Sequence, residues 1–253
     1  MIIEDPRPRR EEASPVLFVH GFLGEPADWD VVIAAMRRPR RVLRANLLAR
    51  DGSRSDIDAL AAELAEGVRR QGLAPLSVVG YSLGGRVTLA LADAHPMVVR
   101  RAIAVSASLG IDDPLERAER AAADARLAAT LLADRLAPFV DRWYSQPLFA
   151  SLRVHPAFPA MRARRAAGDA AAWAAILRDA SPGASPSLWP VLPKLAAGVS
   201  LAVGELDAKY SAQSAEAARR APELRVDVVE GAGHAIHLER PTALAALVDE
   251  LLD

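Results

Sequence analysis

The chain of 253 residues contains no cysteine. That excludes disulfides, thiol chemistry and any cysteine-based metal site. Lysine is nearly absent too: of 31 basic residues only Lys194 and Lys209 are lysines. Together with the heavy use of alanine, this reads as a genome-wide codon preference, and it makes an arginine here a weaker sign of carboxylate recognition than usual. Neither sign of charge is in excess, since 32 acidic residues leave a formal net charge of −1, which argues against nucleic acid as a partner. The five histidines show no H-E-x-x-H or similar metal-binding spacing. No apolar stretch approaches the roughly 20 residues of a membrane span. Met1–Ala13 carries both signs of charge and prolines, unlike a signal peptide, so a cytoplasmic protein without a membrane span is expected. There are no internal repeats. A chain of this length fits one medium domain, or a domain with an inserted lid, and can bury a full core.

Apolar runs and helical periods alternate through much of the chain. Val16–His20 reads as a strand, Arg41–Leu47 as a second and Asp56–Gln71 as a helix. Leu76–Val79 reads as a buried strand, Leu83–His95 as a helix and Arg101–Ser106 as the next strand. From Ile111 to about Pro186 the pattern is helical or irregular, with helices expected over Ala118–Leu136 and Ala166–Ala180. Strands resume at Val199–Val203 and Val226–Val229, with helices at Ala212–Arg220 and Pro241–Leu252. Alternating strands and helices predict an α/β fold: a mostly parallel sheet flanked by helices. Residues 1–110 and 187–253 would form its core, and residues 111–186 an inserted helical cap. Ser181-Pro-Gly-Ala-Ser-Pro186 has the turn residues of a hinge back into the core.

The stretch Val79-Gly80-Tyr81-Ser82-Leu83-Gly84-Gly85 sits between a predicted strand and a predicted helix. G-x-S-x-G in that context is the nucleophile elbow of an α/β-hydrolase fold, a strained turn that lifts a serine hydroxyl clear of the sheet. Such a serine needs an acid and then a histidine, later in the chain and in that order. Asp207 follows the strand Leu201–Val203, and His234 follows Val226–Glu230 through Gly231-Ala-Gly. The reading is Ser82 as activated hydroxyl, His234 as its base and Asp207 as the orienter, with Glu205, Asp227 and His237 as nearby rivals. His237 is expected to begin the last helix. His20-Gly-Phe-Leu-Gly24 follows the first strand, where this fold supplies one oxyanion-hole amide. The residue after the nucleophile supplies the other. The backbone N–H groups of Phe22 and Leu83 are therefore expected there. Arg86 lies four residues after Ser82, on the same helix face. It is either a fork for a substrate carboxylate or a surface arginine paired with an acid.

Several stretches together resemble one family. They are Val-His-Gly-Phe-Leu-Gly (19–24), Gly-Tyr-Ser-Leu-Gly-Gly-Arg (80–86), Arg-Ala-Glu-Arg (117–120), Trp-Tyr-Ser-Gln-Pro-Leu-Phe (143–149), Gly-Glu-Leu-Asp-Ala-Lys-Tyr (204–210) and Ala-Gly-His-Ala-Ile-His-Leu-Glu-Arg-Pro (232–241). Their sum is similar to the 2-succinyl-6-hydroxy-2,4-cyclohexadiene-1-carboxylate (SHCHC) synthases of menaquinone biosynthesis, lyases on a hydrolase scaffold. The resemblance implies elimination of pyruvate from SEPHCHC, a cyclohexene that bears a succinyl group, a carboxylate and an enolpyruvyl ether. No metal or organic cofactor is implied. The partner is a small molecule with several carboxylates. The motif matches put Tyr81, Arg86, Arg120 and Trp143 on substrate-binding positions, with a third arginine at Arg164 or Arg165. Trp143 has a second reading, as a core aromatic that holds the cap down. Two stretches depart from the family. Asn46–Ser55 stands where an Asp-Leu-Pro-Gly-His-Gly-x-Ser-like loop is usual, and Val105-Ser-Ala-Ser-Leu-Gly110 lacks an acidic residue at its start. A carboxylesterase with the same triad is the other reading of these residues.

Overall fold

The computed structural model describes residues 2–4, 14–50 and 54–252. Seven strands form one sheet: β1 Ile2–Glu4, β2 Val16–Val19, β3 Val42–Asn46, β4 Leu76–Tyr81, β5 Val99–Val105, β6 Val199–Gly204 and β7 Arg225–Val229. Their order across the sheet is β1-β3-β2-β4-β5-β6-β7. All pairings are parallel except β1 against β3. The central strands β2 and β4 are buried throughout. Helices cover both faces of a parallel sheet, which is why these runs are continuously apolar rather than alternating.

The helices Leu83–Ala94 and Ala208–Arg220 pack on the sheet, Ile57–Arg70 packs chiefly on Leu83–Ala94, and Pro241–Leu251 packs against the helices Asp30–Ala35 and Ile236–Glu239. One apolar cluster joins Leu17, Leu43, Leu60, Leu64, Val78 and Leu244; a second gathers Leu89, Leu109, Leu192, Leu201 and Ala217. Between β5 and β6 the chain is helical, chiefly Pro114–Ala133, Leu136–Tyr144, Phe158–Ala166 and Ala170–Asp179. Leu188 donates its N–H to Leu109 O at 2.8 Å, so the two ends of this helical segment meet beside β5.

Most expected elements are present, with local differences. β5 begins at Val99, two residues early, and β1 falls in a stretch with no expected strand. The expected helix Ala118–Leu136 runs instead over Pro114–Ala133, because Asp113 accepts from Leu115 and Glu116 N–H and Pro114 suits the first helical turn. The expected helix Ala166–Ala180 is two elements that meet at Gly168-Asp169, where Asp169 caps the second through Ala172 N–H. Ala208–Arg220 starts four residues early because Asp207 caps it through Tyr210 N–H. His237 lies in the short helix Ile236–Glu239, not at the start of Pro241–Leu251.

Candidate active site

Ser82 ends the turn from β4 into the helix Leu83–Ala94. It takes φ 52° and ψ −109°, and its N–H donates to Val105 O at 2.8 Å. A positive φ is costly for a residue with a side chain. The turn is tight enough to require glycine on both sides. A Cβ on Gly80 would lie 2.2 Å from Gly84 O, and one on Gly84 would lie 2.3 Å from Val19 O. Leu23, in the loop after β2, and Ser106, just past β5, also take positive φ, at 60° and 48°. The strained residues thus gather at one end of the sheet.

His234 Nε2 lies 3.3 Å from Ser82 Oγ, and its Nδ1 lies 2.6 Å from Asp207 Oδ2. His234 and Asp207 are buried. With Nδ1–H donating to the carboxylate, Nε2 is free to take the serine proton. The rivals are elsewhere. Glu205 is exposed and accepts Gly231 N–H, and Asp227 pairs with Arg225. His237 is buried between Trp29 and Tyr81, with ring centroids at 5.2 and 4.2 Å, and burial lowers its pKa from 6.5 to about 3.

The loop bearing Phe22 is held by His20. The His20 Nε2 accepts Leu47 N–H at 3.1 Å and its Nδ1 donates to Gly21 O at 2.9 Å. Burial lowers the His20 pKa to about 4, which keeps the ring neutral and suits one nitrogen that accepts and one that donates. Leu83 is the first residue of its helix, so its N–H has no partner within the helix. The loop bearing His234 is clamped by buried Glu239, whose two oxygens accept Gly233 N–H at 2.9 Å and Ala235 N–H at 3.0 Å.

A cavity of about 330 Å³ opens over Ser82, a size suited to a small molecule. Tyr81, Arg86, Arg120 and Trp143 all line it, as do Phe22 and Leu83. Arg86 is buried and bound to carbonyls, not acids: Nη1 donates to Ala180 O at 2.6 Å and Nη2 to Ser181 O at 3.4 Å. Burial lowers its pKa from 12.5 to about 10, so it stays charged at neutral pH. Arg120 pairs through Nε with Asp124 at 2.6 Å. Trp143 fits both of its readings, since it lines the cavity and packs edge-on against Phe22 at 4.8 Å.

Neither Arg164 nor Arg165, the two candidates for the third arginine, is among the residues that line this cavity. Arg164 is exposed and pairs with Glu25, with Asp28 at 3.6 Å. Arg165 is buried and donates to Asp28 Oδ2 at 2.5 Å. Burial opposes the Arg165 charge, yet Tyr144 and Asp28 raise its pKa above the ordinary value. A buried acid on the turn Pro26–Trp29 captures the guanidinium that sequence spacing would give to a ligand.

Sequence reasoning assigned no role to Lys209, Tyr210 or Asp124, which also line the cavity. The signal for Lys209 was available, because a lysine kept in so arginine-biased a chain is unusual. Residues 51–53 of the departing loop Asn46–Ser55 lie outside the described residues. The rest of that loop does not line the cavity: Arg50 binds Ser55 and Glu63. In the other departing stretch, Ser108 lies on the cavity wall.

Residues 16–247 match the alpha/beta hydrolase family. The chloroplastic protein PHYLLO of Arabidopsis thaliana is 31% identical over 91% of this chain, which spans 15% of that protein's length. The 2-succinyl-6-hydroxy-2,4-cyclohexadiene-1-carboxylate synthase of Serratia proteamaculans is 31% identical over 91% of this chain and 90% of its own. Among solved structures, MenH from S. aureus superposes with a TM-score of 0.91 at 24% identity, covering 99% of this chain and 97% of that one. Among the described residues, no helix is long and apolar enough to cross a membrane. By family match, sequence relatives and the sheet that carries the serine turn, the chain is an enzyme of the alpha/beta hydrolase family and belongs within it to the SHCHC synthases.

Proposed function

We propose that this enzyme eliminates pyruvate from SEPHCHC to give SHCHC, a step of menaquinone biosynthesis in the cytoplasm. One observation carries the reading. The hydrogen-bonded series Ser82, His234 and Asp207 opens into a cavity whose wall holds Arg86 and Arg120. A neutral ester has little use for two guanidinium groups, whereas a substrate with three carboxylates does.

In this reading His234 takes the Ser82 proton while Asp207 holds the ring and offsets its positive charge. The serine oxygen then removes the proton α to the succinyl ketone. The electron pair of that C–H bond forms an enolate, and the amides of Phe22 and Leu83 donate to its oxygen. Charge moves through the ring, the ring C–O bond to the enolpyruvyl oxygen breaks, and the enolate of pyruvate leaves and becomes pyruvate with the proton held by His234, which restores the neutral imidazole. No water is added. Arg86, Arg120, Tyr81 and Trp143 hold the substrate. Residues 1–110 and 187–253 act as the core and residues 111–186 as the cap that closes the cavity.

The test is pyruvate release from enzymatically generated SEPHCHC, with p-nitrophenyl acetate hydrolysis measured in parallel. Fast pyruvate release with feeble ester cleavage is expected. Ester cleavage without pyruvate release would overturn the lyase reading and leave a serine esterase.

A further inference from the structure

The cavity wall that carries Arg86, Arg120 and Lys209 contains one carboxylate among the described residues, Asp124. It is buried on the helix Pro114–Ala133. An acid inside a site for anions repels the ligand unless it does something else. Its Oδ2 accepts Arg120 Nε at 2.6 Å and Ser181 Oγ at 2.5 Å. Ser181 Oγ also accepts Gly183 N–H at 2.9 Å, which fixes the hydroxyl against its own turn. The same turn supplies the carbonyls of Ala180 and Ser181 that bind Arg86. The two cavity arginines, 34 positions apart in sequence, are thus tied to one short segment.

We propose that Asp124, locked by Ser181, is a positioning residue that holds Arg120 by its Nε edge and leaves both Nη groups for a substrate carboxylate. Among the described residues those Nη groups have no protein partner. A guanidinium carries its donors in a fixed plane, so one bond at Nε sets the direction of the remaining fork. Ordering the side chain before binding removes a cost the ligand would otherwise bear. The inference rests on the polycarboxylate substrate proposed above and names what orients its clamp.

The prediction has a sign that charge alone would reverse. Deleting an acid from an anion site strengthens binding if the acid acts only through its charge. Deleting the group that orients Arg120 weakens it. Asp124→Ala should raise the KM for SEPHCHC about fivefold to tenfold, the scale of one side chain freed, with kcat within about threefold. Asp124→Asn, which keeps an acceptor oxygen at the same place, should recover most of the loss. In an Arg120→Ala background Asp124→Ala should raise KM no further, because the group it positions is gone. A KM that falls or holds in Asp124→Ala, or an equal rise with and without Arg120, overturns the proposal. Should Asp124→Ala fail to fold, Ser181→Ala serves: a rise of about twofold to fourfold is expected, and none overturns it. If the unaltered enzyme releases no pyruvate, the substrate reading fails separately. Calorimetric binding of tricarballylate, a tricarboxylate probe, then reads the same variants. Weaker binding in Asp124→Ala supports the positioning role. Tighter or equal binding, or no binding by the unaltered enzyme, overturns it.

Discussion

Moving the protein from pH 7.5 to pH 5 should remove about 4 kcal/mol of stability through His20 and His237, about 2 kcal/mol from each. Both rings are buried, and burial lowers their pKa values from 6.5 to about 4 and about 3. His20 has no place for a second proton, since its Nε2 already accepts Leu47 N–H. His237 sits against the rings of Trp29 and Tyr81. Below its ordinary pKa the unfolded chain takes a proton that the folded chain refuses. Stability is therefore complete above about pH 6.5 and is lost progressively as the pH falls toward the folded values. At pH 5 an unfolded histidine is almost fully protonated and a folded one is not, so the figure hardly depends on the folded pKa. Carboxylates held below their usual range, such as Asp28 and Asp56, stay ionised there and add little. The assay is urea unfolding followed by tryptophan fluorescence at both pH values, for the unaltered protein, His20→Gln and His237→Phe. Each variant loses some stability at pH 7.5, but the difference between the two pH values should shrink by about 2 kcal/mol per histidine removed. In melting experiments that is roughly 4–8 °C per histidine. A variant with an undiminished difference would show that its histidine takes up a proton in the folded state, and the reasoning from burial would fail.

Three further outcomes are expected. Ser82→Ala should lower the rate of pyruvate release by roughly a thousandfold or more, as with other serine–histidine pairs, and a near-normal rate would sink the proposed chemistry. Glu239→Gln puts one amide donor against a backbone N–H beside His234, so it should cost about 1–3 kcal/mol in urea unfolding and lower kcat more than it changes KM; unaltered kcat would remove Glu239 from any role in orienting the histidine. Arg165→Met strands the Asp28 carboxylate in the interior, and urea unfolding should report a loss of about 3–5 kcal/mol, while an unchanged midpoint would mean that Asp28 finds another partner.

The sheet and the serine turn were legible because both are local. A run such as Val16–Val19 declares a buried strand by composition, and Gly80 and Gly84 declare a tight turn by the absence of side chains. Asp207 and His234 were legible because the order of acid and histidine follows from the fold once the serine is placed. Missed were features whose cause lies far along the chain. Arg165 meets Asp28 across 137 residues and Ser181 meets Asp124 across 57, and no periodicity encodes either partner. Glu239 was visible only as part of a motif, since its clamp on Gly233 and Ala235 depends on how a short helix folds back. The strand Ile2–Glu4 is too short for alternation to mark it and pairs antiparallel with β3 at the sheet's border. The break at Gly168-Asp169 was readable in principle, as a glycine followed by a capping acid, but alanine-rich flanks continue a helical pattern through it.

The hydrogen bond from Leu188 to Leu109 gives the protein a modular economy. Because the chain leaves and rejoins the sheet at neighbouring points, the intervening 78 residues form a closed loop on it, and the entropy of closing a loop grows slowly with its length. A change in the segment's length therefore costs little loop entropy, and the β5–β6 pairing from Ala102–Val199 to Val105–Ala202 is made without it. Ser82 and its partners lie on the sheet side of that junction, whereas Arg120, Asp124 and Trp143 lie beyond it. Of the residues proposed to hold the substrate, Tyr81 and Arg86 lie on the sheet side and Arg120 and Trp143 beyond it, so an exchanged segment would alter only part of the ligand's contacts. A chimera that joins this sheet to another helical segment between positions 109 and 188 should keep the hydrogen bonds of Ser82, His234 and Asp207 and lose the part of the cavity wall that holds Arg120, Asp124 and Trp143.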